Sequence, residues 1–159
     1  MIELKKVMFI SSTGGHLYEL FQLKPLFKDY DYHIVTEKTK TNTSLKEEYK
    51  DRISYLKYGT KHKMYLYWFI FPYNCLKSLF LFLINKPDVI ITTGAHTGIP
   101  MCYLGYIFKR KVIFIETFAN KETRSLSGKI AYRIADHFIV QWEEMLELYP
   151  KAIYIGWIF

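Results

Sequence analysis

The sequence contains few cysteines, and their scarcity excludes two classes of protein. Among 159 residues the only cysteines are Cys75 and Cys102. Two thiols provide neither a disulfide framework nor a cysteine-based metal site, so we expect no bound metal. The N-terminal residues lead directly into a strand pattern and show no signal-peptide pattern, from which we expect an intracellular protein.

Acidic residues are in the minority as well. The chain has 15 Asp and Glu against 22 Lys and Arg, a net charge of +7. This balance indicates an anionic partner, which from charge alone is a nucleic acid, an acidic phospholipid or a phosphorylated substrate. Half of the residues are hydrophobic, which excludes a disordered chain. Aromatic residues reach 18%, more than a small core needs, so we expect some on a surface that binds an apolar partner.

Strand and helix patterns alternate along the chain. A continuous apolar run is typical of a strand buried on both faces of a parallel sheet, and one occurs at residues 6–11. Further strands are predicted at residues 32–36, 53–58, 88–92, 111–115 and 137–141. Helices are predicted at residues 16–27, within 37–52, at 64–84, from 98 to 108, at 126–135 and at 143–148, and an apolar segment follows at 152–159. The alternation, without hairpin signals, predicts an α/β fold, a doubly wound parallel sheet in one domain over residues 1–159.

Three loops follow predicted strands and therefore lie at the carboxyl edge of the predicted sheet, where such folds bind their ligands. They span Ser11–His16, Thr92–Gly98 and Glu116–Ser127. In the first loop, Gly14 and Gly15 allow a tight turn, and the helix after it offers free N–H groups to an anion. An ordinary strand-to-helix turn of this fold explains the same glycines equally well.

A dinucleotide site is the first alternative for these glycines. Glu37 follows the second predicted strand, about 20 residues beyond the glycines, where a ribose-binding acid is expected. The spacing G-x-G-x-x-G is absent, however, because His16 and three further non-glycine residues follow Gly15. The sequence G-K-[ST] of a triphosphate site is absent too. We therefore expect neither a dehydrogenase nor a kinase, and no cofactor.

The second and third loops carry further polar side chains. A second glycine loop at the same edge suggests that two helix N-termini face one crevice and hold a diphosphate, although Pro100 alone is explained by helix initiation. Glu116 follows the fifth predicted strand, so its carboxylate is expected to face the crevice. Lone acids at strand ends are often only helix caps, and Ser125 is typical of an N-cap.

Several motifs resemble one family of glycosyltransferases. Ser11–His16 resembles the first glycine loop of GT-B glycosyltransferases that act on polyprenyl-diphosphate sugars. A closer resemblance, to bacterial capsular and exopolysaccharide subunits of the CpsF/EpsE/PssD type, rests on the motifs at residues 115–119, 126–129, 135–142 and 149–152. Those subunits are similar to the membrane-anchoring subunit of the eukaryotic dolichol-linked chitobiose synthase. The resemblance runs from Lys6 to Phe159.

This resemblance implies the N-terminal, acceptor-binding half of a GT-B glycosyltransferase, with a Rossmann-like fold. A separate chain would bind the UDP-sugar, with galactose or GlcNAc as the donor sugar. The acceptor would be a sugar linked to polyprenyl diphosphate, in capsular or exopolysaccharide synthesis. The resemblance implies no metal, cofactor or nucleic acid. A non-catalytic membrane scaffold that recruits and activates a transferase is the alternative.

Carried onto this sequence, the resemblance assigns roles to two groups of residues. His16 and Glu116 would be catalytic. His16 is expected either to act as general base on the acceptor hydroxyl or to position a phosphate, and Glu116 is expected to line the cleft. The residues expected to contact the acceptor's diphosphate and sugar are Ser12, Thr13, Gly14, Gly15, Thr93, Gly94, His96, Thr97, Gly98 and Arg124.

Residues 64–84 form a long aromatic stretch. As a helix these 21 residues would be about 31 Å long, nominally enough to span a bilayer, yet Lys77 in the middle makes spanning marginal. Basic residues before the stretch favour a helix in the headgroup region of an anionic leaflet, on the cytoplasmic face of the cell membrane. A buried helix that covers the sheet is the plainer alternative. The residues expected at the membrane are Tyr65, Tyr67, Trp68, Phe69 and Phe71.

The last residues, Ile153–Phe159, are apolar, whereas chain ends are normally polar and frayed. Part of this segment is expected to form a final strand. Trp157, Ile158 and Phe159 extend past Gly156, and we expect them to anchor the partner chain, because aromatic residues commonly anchor interfaces.

Overall fold

The structure is a computed structural model that describes residues 4–59 and 64–158, with the side chains of residues 64–67 outside the description. Seven parallel strands form one sheet in the order β3-β2-β1-β4-β5-β6-β7. The predicted doubly wound sheet is confirmed, and its order reverses between β1 and β4. The strands are β1 Lys6–Ile10, β2 Asp31–Lys38, β3 Ile53–Lys57, β4 Val89–Thr92, β5 Lys111–Ile115, β6 His137–Val140 and β7 Ile153–Tyr154.

Helices connect the strands on both sides of the sheet. They are α1 Gly15–Gln22, α2 Leu45–Tyr49, α3 Met64–Asn85, α4 Ile99–Ile107, α5 Leu126–Ala131 and α6 Met145–Leu148. The helix predicted at residues 16–27 is interrupted: α1 ends at Gln22 and a 3₁₀ segment, Lys24–Asp29, follows. Pro25 lies in the first turn of that segment, and a proline there cannot donate the backbone hydrogen bond that would continue α1. The helix predicted at 126–135 likewise ends early, at Ala131.

Each side of the sheet has its own hydrophobic core. Strand residues alternate between the two cores, which is why the strands read as continuous apolar runs. On one side Val7 and Phe9 pack with Leu20 of α1 and with Tyr49 of α2. On the other side Met8 and Ile10 pack with residues of α3, α4, α5 and α6, among them Phe82, Met101, Ala131 and Met145.

The outer surface of α3 and α4 is apolar and exposed. Trp68 is 73% exposed and Phe69 is 79% exposed, while Leu81 and Phe82 of the same helix are buried against the sheet. Within the described residues, Trp68–Asn85 is a helical stretch of 18 residues whose length and mean hydropathy of 1.2 would suffice to cross a membrane. Part of the aromatic surplus in the sequence therefore lies on one surface. The other large exposed apolar residues there are Phe71, Tyr73, Leu76, Phe80, Leu83, Ile84, Tyr103, Tyr106, Ile107 and Phe108.

Candidate functional site

The topology brings three loops together at the carboxyl edge. The first loop (residues 11–16) follows β1, the second loop (residues 92–98) follows β4, and the third loop (residues 116–127) follows β5. Because β1, β4 and β5 are adjacent in the sheet, the three loops are neighbours. They lie where the strand order reverses, which is the usual ligand crevice of an open α/β sheet.

Hydrogen bonds join the first loop to the second. The Ser12 amide donates to the Gly94 carbonyl at 3.0 Å, and the Ala95 amide donates to Ser12 Oγ at 3.3 Å. The Thr93 hydroxyl donates to the His16 carbonyl at 2.7 Å. The two glycine loops therefore form one unit rather than two separate turns.

His16 has a defined hydrogen-bonding state in this unit. Its Nδ1 lies 2.8 Å from the carbonyl oxygen of Thr93, and a carbonyl oxygen can only accept, so Nδ1 carries the proton. In the neutral ring the lone pair is then on Nε2, as a general base requires. Gly94 has φ +92°, and a Cβ at that position would lie 3.3 Å from His16 Nδ1, so glycine leaves room for the ring.

Glu37 lies beneath both glycine loops. It is 1% exposed, and its carboxylate accepts a hydrogen bond from the Thr97 hydroxyl at 2.8 Å and a long one from the Thr13 amide at 3.5 Å. His96 Nε2 lies 3.6 Å from the same carboxylate. The sequence suggested Glu37 only as the acid of a dinucleotide site. Its position at the end of β2, beside β1, is the signal that could have placed it under the loops.

The predicted acceptor-binding residues divide into an accessible rim and a buried layer. Gly14 and Gly15 are exposed, and Thr13, His16 and His96 are half-buried. The hydroxyls of the buried layer bond to the protein, and their contact with the acceptor's diphosphate and sugar stays a prediction. The buried members are Ser12, Thr93, Gly94, Thr97 and Gly98.

The third loop differs from the prediction. Glu116 was expected to line the crevice, but it is 2% exposed and its carboxylate points into the protein. It accepts hydrogen bonds from the Ser125 hydroxyl at 2.8 Å, from the Tyr149 hydroxyl at 3.0 Å and from the Thr117 amide at 3.1 Å. Burial raises the pKa of Glu116, and these hydrogen bonds partly oppose the rise. A catalytic role for Glu116 stays a prediction, and its burial favours a positioning role.

Other third-loop residues cap and cover this carboxylate. Ser125 is the N-cap of α5 and accepts a hydrogen bond from the Gly128 amide at 2.8 Å, as the capping interpretation required. Arg124 is exposed, and its guanidinium lies 5.2 Å from the centre of the Tyr149 ring. The structure thus places Arg124 beside the Glu116 and Tyr149 pair.

A third buried carboxylate, which the sequence analysis missed, connects α1 to the third loop. Glu19 is 4% exposed and accepts hydrogen bonds from the Thr117 hydroxyl at 2.8 Å and from the Phe118 amide at 3.1 Å. Burial raises the pKa of Glu19, and the hydrogen bond from Thr117 partly lowers it. The Gln141 side chain donates to the Glu116 carbonyl at 3.0 Å, so buried polar groups fix all three loops.

The C-terminal segment packs beside the third loop. Trp157 contacts the rings of Phe118 and Trp142, with ring centres 5.3 Å and 5.0 Å away. The Ile158 amide donates to Gln141 Oε1 at 3.2 Å. Trp157 remains 57% exposed, and Phe159 lies outside the described residues. Across the residues that the structure describes, no group of three or more His, Cys, Asp or Glu is placed to hold a metal ion.

Several solved structures share this fold. MurG from Acinetobacter baumannii superposes with a TM-score of 0.70 at 14% identity, over 88% of this chain and 42% of MurG. UDP-GlcNAc 2-epimerase from Methanocaldococcus jannaschii superposes with a TM-score of 0.68 at 16% identity, over 96% of this chain and 45% of the epimerase. The fold is therefore the Rossmann-like half found in GT-B glycosyltransferases and in these epimerases.

Sequence relatives give the family. Residues 7–158 match the family "Oligosaccharide biosynthesis protein Alg14 like", and the chain belongs to it. The UDP-N-acetylglucosamine transferase subunit ALG14 of Mus musculus is 41% identical over 98 residues, which cover 58% of this chain and 42% of the mouse protein. The subunit of the same name from Schizosaccharomyces pombe is 27% identical over 173 residues, covering 96% of this chain and 82% of the yeast protein. The match thus spans less than half of the mouse relative.

Proposed function

We propose that this chain is the acceptor-binding, membrane-associating subunit of a two-chain glycosyltransferase. It helps to transfer GlcNAc from UDP-GlcNAc to a sugar on polyprenyl diphosphate, in capsular or exopolysaccharide synthesis. The observation that carries the proposal is the joined pair of glycine loops with the Nε2 lone pair of His16 beside them. The relatives are named UDP-N-acetylglucosamine transferase subunits, and this favours GlcNAc over galactose as the donor sugar.

The accessible rim receives the acceptor's diphosphate. Helix α1 begins at the first glycine loop, and its N-terminus offers backbone N–H groups that no helical carbonyl uses. It contributes about 0.3–1 kcal/mol to the binding of a negative charge. At the start of α4 the Gly98 and Ile99 amides donate to the Ala95 and His96 carbonyls, so the second loop contributes a side chain instead: His96, held beside the buried Glu37 carboxylate, lies at the rim. His16 then takes the proton from the acceptor hydroxyl or orients the acceptor's diphosphate.

The α3–α4 surface meets the membrane at the cytoplasmic leaflet. Trp68, Phe69 and Phe71 are exposed there, and Tyr65 and Tyr67 of the same helix are proposed to join them. Four lysines line a hollow of about 700 Å³ at the edge of the sheet next to α3, namely Lys38, Lys46, Lys57 and Lys77. Aromatic residues beside lysines suit a headgroup region that contains anionic lipids.

The partner chain that binds UDP-GlcNAc docks at the β7 edge. β7 is an edge strand, and Ile153, Tyr154, Ile155 and Trp157 near it are exposed, which is an exposed edge that a partner can cover. A hollow of about 570 Å³ beside it is lined by Trp142, Trp157 and three glutamates, Glu143, Glu144 and Glu147. We expect the partner to present basic residues to these glutamates and to cover Trp157, Ile158 and Phe159.

A non-catalytic scaffold is the second candidate, and one observation favours it. Glu116 and the hydroxyls of Ser12, Thr93 and Thr97 are all engaged inside the protein. His16 is then the main candidate left for proton transfer. The two candidates therefore differ in what happens when His16 is removed.

The test is sugar transfer by the complex purified from the host with its partner, using a polyprenyl-diphosphate acceptor in anionic vesicles. We expect His16→Ala to lower kcat by about 10²–10⁴-fold, the usual contribution of a general base, while complex assembly and vesicle binding stay normal. His137→Ala, at an exposed histidine at the start of β6, is the matched control and should transfer normally.

Two other results would change the conclusion. Normal transfer by the His16→Ala complex would favour the scaffold. Transfer by the chain without any partner would refute the two-chain enzyme.

A further inference from the structure

An apolar groove runs between α3 and α4. Its volume is about 370 Å³, and its lining is apolar apart from one thiol and one phenol group. It is open along the surface that the aromatic side chains of α3 and α4 expose. The residues that form most of its walls are Phe71, Cys75 and Leu76 from α3 and Ile99, Pro100 and Tyr103 from α4.

One end of the groove lies at the start of α4, which follows the second loop in the chain. Ile99 and Pro100 follow Gly98 directly and form the first turn of α4. On α3, the Asn74 side chain exchanges hydrogen bonds of 2.9 Å and 2.8 Å with the backbone of Lys57, the last residue of β3. Phe71 and Cys75, on either side of Asn74, are therefore level with the carboxyl edge of the sheet. The mouth of the groove and the rim proposed for the diphosphate lie at the same end of α4.

The lining selects the kind of occupant. An extended peptide in the groove would bring backbone N–H and C=O groups that need hydrogen-bond partners, and walls of hydrocarbon and aromatic rings do not supply them. A hydrocarbon chain has no such need and gains from leaving water. From Ile99 to Leu104 the groove follows about 7.5 Å of helix axis, so it accommodates only the beginning of a long chain.

We propose that this groove binds the first isoprene units of the acceptor's polyprenyl chain as they leave the diphosphate. The proposal rests on the proposed function for the position of the diphosphate. The rest of the chain passes over exposed Leu76 and Phe80 into the bilayer. The groove thus lifts the diphosphate end of the lipid out of the headgroup region and points it at His16.

Cys75 provides a direct reporter of the groove. It is half-buried in the groove wall, whereas Cys102 is fully buried and burial raises its pKa to about 12. Since the chain has no other cysteine, a thiol reagent applied to the folded protein labels Cys75, and the labelling rate reports how accessible the groove is. The full chain is labelled with a methanethiosulfonate reagent without vesicles or detergent, alone and with farnesyl diphosphate, farnesol or inorganic pyrophosphate.

We expect farnesyl diphosphate to slow the labelling of Cys75 at least tenfold and pyrophosphate to slow it less than twofold. Equal protection by pyrophosphate and farnesyl diphosphate, or none by either prenyl probe, would overturn the proposal. A Cys75 that resists the reagent without any probe would overturn it too, because the groove would be closed.

His96→Ala separates this proposal from the proposed function. If both are correct, the variant weakens protection by farnesyl diphosphate and leaves protection by farnesol unchanged. If farnesol and farnesyl diphosphate protect alike in both proteins, the groove binds prenyl chains and the diphosphate position in the proposed function fails.

A second variant tests the groove in the active complex. Leu79→Trp fills the groove, of which Leu79 forms part, and should raise KM for the polyprenyl acceptor about tenfold with kcat within twofold. Leu26→Trp, the same change at an exposed leucine in the 3₁₀ segment on the opposite side of the sheet, is the matched control and should leave KM unchanged. An unchanged KM in the folded Leu79→Trp complex would contradict the proposal.

Discussion

On the α1–α2 side of the sheet the outer residues are largely polar, whereas on the α3–α4 side they are aromatic and aliphatic. Lys46, Glu47 and Glu48 of α2 point to solvent, while Trp68, Phe69 and many others do so on α3 and α4. Both sides cover equally apolar strand faces, so the inner packing cannot be the cause of the difference. Covering the sheet does not require an apolar outer surface on α3 and α4. We attribute that surface to the membrane contact proposed above.

The strongest test of the difference between the two sides is to remove exposed aromatic rings from α3. We expect the triple variant Trp68→Ala, Phe69→Ala and Phe80→Ala to lose more than about 100-fold in affinity for anionic vesicles, because each ring contributes about 1.5–3 kcal/mol when it leaves water. Cosedimentation with vesicles measures the loss. The melting temperature should change little, since all three rings are exposed.

Tyr18→Ala is the control on the opposite side. Tyr18 is 62% exposed on α1, as Phe80 is on α3, so its loss removes one comparable ring from the α1–α2 side. Vesicle affinity should stay at the wild-type value. Equal losses in the two proteins would mean that the two sides of the sheet do not differ in membrane binding.

The inner and outer sides of α4 give a second, smaller contrast. A Cβ on Gly105 would lie 2.6 Å from both Ile90 Cδ1 and Val112 Cγ2, and overpacking of this kind costs about 1–3 kcal/mol. We expect Gly105→Ala to lower the free energy of unfolding by part of that amount, because alanine also favours a helix over glycine. Tyr106→Ala, at the next residue and exposed, should leave the denaturant midpoint unchanged. The opposite ranking of the two variants would contradict the close packing of α4 on the sheet.

A third prediction concerns the buried carboxylate of the third loop. Burial raises the pKa of Glu116 above its ordinary value of 4.5. Between pH 4.5 and the raised pKa the folded protein binds more protons than the unfolded chain. The free energy of unfolding therefore falls as the pH rises through this window. We expect Glu116→Gln to flatten that fall, as measured by urea unfolding across the acidic pH range.

Glu144 is a control of opposite sign. A hydrogen bond from its own backbone and one from Lys121 lower its pKa. Its contribution to stability is present above pH 4.5 and is lost as the pH falls through the lowered pKa. Glu144→Gln should therefore remove a rise in the free energy of unfolding with pH, the opposite of the fall that Glu116→Gln removes. If both variants changed the pH dependence in the same direction, that would count against the burial of Glu116.

The strands were predictable because parallel strands are buried on both faces and read as uninterrupted apolar runs. The predicted strand at 111–115 coincides with β5, and the others differ by one or a few residues. The end of α1 was harder to predict, because the helical spacing of Leu20, Phe21 and Leu23 continues beyond Gln22, where α1 ends. Pro25 then favours the 3₁₀ segment that follows. Local periodicity finds elements better than it finds their ends.

The site was predictable at the level of loops and not of side chains. The three loops follow from strand ends, which the sequence shows. The direction of the Glu116 carboxylate depends on Tyr149, which is 33 residues away and donates to it, and no local pattern contains that contact. Glu19 escaped notice for the same reason, because its partners Thr117 and Phe118 lie on a different loop.

The smallest expected effect comes from the lysines beside α3. The Lys57 ammonium lies 4.3 Å and the Lys77 ammonium 5.9 Å from the centre of the Tyr73 ring, so both charges lie at the border of the aromatic surface. A basic residue near an anionic leaflet contributes about 1 kcal/mol, which corresponds to about a fivefold change in affinity. We expect Lys57→Gln and Lys77→Gln each to weaken vesicle binding by about that factor at low salt and hardly at all in about 1 M salt, where charges are screened within about 3 Å. Lys24→Gln, on the 3₁₀ segment of the opposite side, should have no effect at either salt concentration. A fivefold loss that persists at high salt would show that the lysines contribute through packing on Tyr73 rather than through charge.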